Sequence, residues 1–85
     1  MSENTVSPQI QAFIEGRFPQ ASIEVAQDIF SLGYINSLFA MELVMFMEKA
    51  FTITVPNEEL RIDNFRTVEA MTALVTRIQS ATLVG

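Results

Sequence analysis

The sequence has no cysteine, no histidine and no tryptophan. Without thiols or imidazoles there is no disulfide, no Ser-His or Cys-His nucleophilic pair, and none of the usual zinc ligand sets. Bases are scarce too: five Lys and Arg against ten Asp and Glu leave a formal charge of −5. Unspecific nucleic-acid binding needs cations that displace counterions from phosphates, so this balance argues against it and favours partners with basic patches. No apolar run reaches the roughly 20 residues that span a bilayer, because Glu42 and Glu48 break the richest stretch. The start, Met1-Ser2-Glu3-Asn4-Thr5-Val6-Ser7, lacks the basic-then-apolar layout of a signal peptide. A soluble, cytoplasmic monomer with no nucleic-acid or membrane partner is expected.

What is present is a hydrophobic half, 49% of 85 residues, enough for one small core. A domain of this size buries only about 60–65% of its unfolded surface, leaving little room for an enclosed active site. One domain over 1–85 is expected, with an ordered core about 7–80 and loose ends at residues 1–6 and Thr82–Gly85. Ser7 and Pro8 read as the cap and first residue of a helix whose face is Ile10, Phe13, Ile14 and Phe18. Gly16 weakens that helix and Pro19 ends it. Residues 19–35 form a long connection, with Ile23, Val25, Ile29, Phe30 and Leu32 available to pin it to the core. Connections of this length in small domains are commonly functional.

After the Gly33 turn, Asn36 is a good N-cap for a second helix over Ser37–Ala50. If Leu43, Val44, Met47 and Phe51 face inward, Leu38, Met41 and Met45 fall on a neighbouring stripe. Thr52-Ile53-Thr54-Val55 alternates like a strand but has no strand to pair with, so it reads as an extended loop with Ile53 and Val55 inward. Pro56-Asn57-Glu58-Glu59-Leu60 can begin a short third helix. The last helix starts near Thr67 and presents Val68, Met71, Leu74, Val75 and Ile78. The fold class is all-α: a small four-helix bundle of three longer helices and one short.

The stretch Asp28-Ile29-Phe30-Ser31-Leu32-Gly33-Tyr34-Ile35-Asn36-Ser37-Leu38 resembles the attachment motif of acyl carrier proteins. In that family a Gly-rich turn leads to Asp-Ser-Leu or Asp-Ser-Met at the start of the second helix. The spacing from Gly33 to Ser37 is similar to that of D-alanyl and several free-standing carriers. Leu43-Val44, Glu48-Lys49-Ala50-Phe51 and Asn64-Phe65-Arg66-Thr67-Val68 extend the resemblance over roughly residues 8–80. It implies that Ser37 accepts 4'-phosphopantetheine from coenzyme A through a phosphopantetheinyl transferase. Acyl-loading, modifying and condensing enzymes then follow as partners, and the chain itself is not an enzyme. By itself Asn-Ser before an apolar run is an ordinary helix start. The approach loop, helix order and family resemblance turn the reading toward attachment.

Asn36 departs from the family's Asp. It caps a helix equally well but removes a charge beside Ser37, which bears on transferase choice. The resemblance also places partner docking on this side of the second helix: Leu38, Met41, Met45 and Phe39, with Glu42 and Glu48 pairing to basic partner residues. Asn-Ser-Leu-Phe-Ala-Met at 36–41 and Ile62–Thr67 are similar to carriers of unusual malonyl extender units for polyketide or hybrid peptide assembly. The alternatives are an aminoacyl carrier of the D-alanyl or peptidyl type, an unmodified helical interaction module, and, more distantly, a carboxylate-based hydrolase.

Overall fold

The computed structural model describes residues 3–19, 22–33 and 36–84; what the sequence leads one to expect of Met1, Ser2, Tyr34, Ile35 and Gly85 lies outside them. The first helix, α1, runs Glu3–Arg17 and begins a turn before Ser7. Val6 stands one turn ahead of Ile10 and is buried with it. That burial carries the helix through Pro8, whose ring removes one backbone donor near the exposed start. Ser7 is therefore not a cap. Its Oγ lies 3.1 Å from Thr72 Oγ1, on the helix against which α1 packs.

The connection after α1 is pinned through its backbone. Gln11 Nε2 donates to the Ile23 carbonyl at 2.8 Å, and the Ile23 N–H donates to Glu15 Oε2 at 3.1 Å. Further on, the Glu69 N–H donates to the Val25 carbonyl at 2.8 Å. Ile23 and Ile29 are buried and Phe30 packs beside them. Val25 and Leu32, expected to do the same, are exposed because they sit in turns that direct their side chains outward.

The second helix, α2, spans Ser37–Phe51 and buries Phe39, Leu43, Val44 and Met47. It ends at Thr52, whose φ of 54° is left-handed and whose N–H returns to the Glu48 carbonyl. Glu48 Oε2 accepts the Val55 N–H at 2.9 Å and holds the extended segment that follows, with Val55 buried. The single short helix expected at Pro56–Leu60 is split in two. A 3₁₀ turn, Asn57–Glu59, is followed by α3, Ile62–Phe65. Arg61 between them is extended, and Asn64 Nδ2 donates to the Glu59 carbonyl at 2.7 Å. Burial of Phe65 brings α3 against the core.

Thr67 Oγ1 accepts the Ala70 N–H at 2.9 Å and so caps α4, Val68–Val84. The end expected to loosen at Thr82 stays helical through Val84. Val68, Met71, Leu74 and Val75 are buried, and α4 packs against both α1 and α3. A fully buried side chain of this kind contributes about 1.5–3 kcal/mol. The result is the expected small all-α bundle, with no strand among the described residues.

Candidate functional site

Ser37 is the first residue of α2 and is exposed. Asn36 before it has extended backbone, and its Oδ1 accepts the Phe39 N–H at 2.8 Å while its carbonyl accepts the Ala40 N–H at 2.9 Å. The expected cap is thus formed by Asn36. The Ser37 hydroxyl makes no hydrogen bond to a described residue, so capping is not its role. The first turn of α2 carries no acidic side chain, and a helix N-terminus favours negative charge. An oxygen-bound phosphate at Ser37 suits this electrostatic setting.

The loop leading to Ser37 is ordered by Asp28. Its Oδ1 accepts the N–H groups of Phe30 at 3.0 Å and Ser31 at 3.2 Å, and its Oδ2 lies 3.1 Å from Arg66 Nη1. Partial desolvation pushes the Asp28 carboxyl up, but the Ser31 N–H and the Arg66 guanidinium outweigh it and hold the carboxyl below its ordinary value. The same hydrogen bond raises Arg66. Gly33, at φ 80°, closes the turn with its N–H on the Phe30 carbonyl at 3.0 Å. A side chain rarely adopts that backbone conformation, so glycine suits the position.

The docking residues expected from the sequence separate into two groups. Leu38 (71% exposed), Met41 (52%) and Met45 (64%) form an outward stripe leading away from Ser37. Phe39 does not join them. It is 5% exposed, stacked 5.9 Å from Phe13 and edge-on to Phe18 at 5.2 Å, with the Arg17 guanidinium 5.5 Å from its ring centre. Its expected partner contact is corrected: Phe13 of α1 and Phe18, just past the end of that helix, take it into the core. Glu42 pairs with Arg17 and Glu48 with the Val55 N–H, so both carboxylates already have partners within the chain.

Sequence reasoning missed a groove of about 240 Å³ beside Ser37. Ser37, Ala40, Met41 and Val44 of α2 form one wall; Leu60, Arg61, Ile62 and Phe65 form the other, with Phe30 beside them. The available signal was Leu60 and Ile62 flanking a charged residue, but it has meaning only once α3 is in place.

No curated protein matches the chain significantly. Among the described residues no helix is long and apolar enough to cross a membrane. The family model for the phosphopantetheine attachment site does match, over residues 14–75, which takes in the approach loop, α2, α3 and the first half of α4. With most of its length covered, the chain belongs to the phosphopantetheine attachment family: it is a carrier domain and not a catalyst, its cofactor is covalently bound 4'-phosphopantetheine, and its partners are a phosphopantetheinyl transferase and the enzymes the carrier serves.

Proposed function

We propose that Ser37 is the attachment residue and that the protein delivers an acyl building block to biosynthetic enzymes. One observation carries the assignment: within the matched region, Ser37 opens α2 exposed, with its hydroxyl free of hydrogen bonds to described residues. In the attachment step the Ser37 Oγ forms a bond to the β-phosphorus of coenzyme A and loses its proton to the transferase. The pyrophosphate P–O bond breaks, and 3',5'-adenosine bisphosphate leaves. When bound, the arm supplies the thiol that holds the cargo as a thioester. Asn36 keeps the first turn of α2 formed, and Leu38, Met41 and Met45 offer an adaptable apolar surface to the enzymes that visit.

The cargo class we infer is a malonyl-type extender unit for polyketide or hybrid peptide assembly. It is supported by the similarity of residues 36–41 and 62–67 to carriers of that type.

Incubation with coenzyme A, magnesium and a broad-specificity transferase, followed by intact mass measurement, tests the attachment. One added phosphopantetheine in the wild type and none in Ser37→Ala is expected. No gain with several transferases, or a gain that survives Ser37→Ala, refutes the site. The mass of the native thioester tests the cargo, and an aminoacyl mass would move the protein to the other carrier type.

A further inference from the structure

Four arginines and one lysine make up all the cations of this chain. Arg17 is paired with Glu42, Arg66 with Asp28 and Asp63, and Arg77 with Glu59. Lys49 lies in the last turn of α2, at the end opposite Ser37. Arg61 alone among the arginines has no ion pair with a described residue, and it lines the same groove as Ser37. The other described residues that line it are apolar apart from Ser37, so Arg61 is the one charged residue among them.

An exposed arginine without a partner is ordinarily just solvated, and its place in the fold is what sets this one apart. Attachment at Ser37 puts a singly charged phosphodiester directly on one wall of the groove, and Arg61 stands on the other. A guanidinium matches phosphate oxygens with paired N–H donors, and its aliphatic stem can lie along apolar surface. We propose that Arg61 binds the phosphodiester of the arm carried on Ser37 and so holds the base of the arm over the α2–α3 groove. This rests on Ser37 being the attachment residue. The pair is exposed, so it biases where the arm lies without locking it, and a more basic partner site can draw the arm away.

The test compares the apo protein with its holo form, made with coenzyme A and a transferase and verified by mass. The probe is the Arg61 Nε–Hε resonance, assigned by its loss in Arg61→Gln, with Arg77 as internal reference. Conversion to holo is expected to move the Arg61 signal and leave that of Arg77 in place. The ³¹P shift of the holo protein is expected to differ between wild type and Arg61→Gln, with Arg61→Lys falling between them. Apo Arg61→Gln should unfold at the wild-type temperature, which separates the effect from folding. Full modification with no movement of Arg61 overturns the proposal and leaves Ser37 attachment standing. Movement seen only after loading a carboxylated acyl thioester also overturns it, assigning Arg61 to the cargo instead. Absence of any mass gain at Ser37 sinks the attachment reading, and this inference with it.

Discussion

Arg66 holds the loop at two neighbouring residues: its Nη1 lies 3.1 Å from Asp28 Oδ2, and its carbonyl accepts the N–H of Ile29 at 2.9 Å. The loop before Ser37 is thereby tied to the junction of α3 and α4. The carboxyl of Asp28 sits below its ordinary value of 3.8 in the fold. A carboxyl depressed by folding stabilises the native state above its unfolded value, and that contribution is lost as pH falls through the lower, folded value. Asp28→Asn is therefore expected to be less stable than wild type at pH 7, with the gap closing below pH ~4. Urea unfolding at a series of pH values measures this. A gap that stays constant to the acid end would show that the charge is not its source.

At Asn36 the side chain should be separable from the charge the family usually carries there. Asn36→Ala removes the acceptor of the Phe39 N–H and is expected to destabilise by about 1 kcal/mol. Asn36→Asp keeps the cap and should hold stability within a few tenths of a kcal/mol. Any change it causes in the relative rates of different transferases then reports recognition. Denaturant melts paired with modification rates supply both numbers.

Phe39 and Met41 lie two residues apart but belong to core and surface respectively. Phe39→Ala empties space among Phe13, Phe18 and Arg17 and is expected to destabilise by about 3–5 kcal/mol, a large share of what so small a domain has. Met41→Asp should change stability by no more than about 0.5 kcal/mol while lowering kcat/KM for enzymes that act on the carrier. Equal losses of stability in the two variants would contradict the assignment of the stripe.

Thr52 closes α2 in the left-handed region, where a β-branched residue is uncommon. Thr52→Gly should stabilise the protein by about 0.5–1 kcal/mol, since the strain relieved exceeds the chain entropy added. A fall in the melting temperature would mean that the side chain has a role the backbone conformation does not show.

Much of α2 was legible from the sequence because its signals are local. Asn36 caps, Leu43, Val44 and Met47 repeat at helical spacing, and no proline intervenes before Pro56. The misreadings arose where distant residues decide. Pro8 is a start signal by itself, but Val6 has a place in the core and draws the helix past it. Phe39 stands one turn ahead of Leu43, so spacing alone would have allowed it inside; the docking role assigned to this side of α2 drew it outward, and the rings of Phe13 and Phe18 show its place in the core. The groove and the position of Arg61 required α3, four residues long and without a periodic pattern of its own.

The internal pairing of Glu42 and Glu48 has a kinetic consequence. These are the only acids on α2: Glu42 is paired with the Arg17 guanidinium, which offsets its charge, whereas Glu48 accepts the uncharged Val55 N–H and keeps its charge at the end of the helix away from Ser37. Long-range attraction of enzymes to the Ser37 end of the molecule must then come from acids elsewhere on the chain, at distances where dissolved ions intervene. Association at α2 should accordingly owe its selectivity to the close fit of Leu38, Met41 and Met45, while its rate falls as dissolved ions screen the chain's net charge of −5.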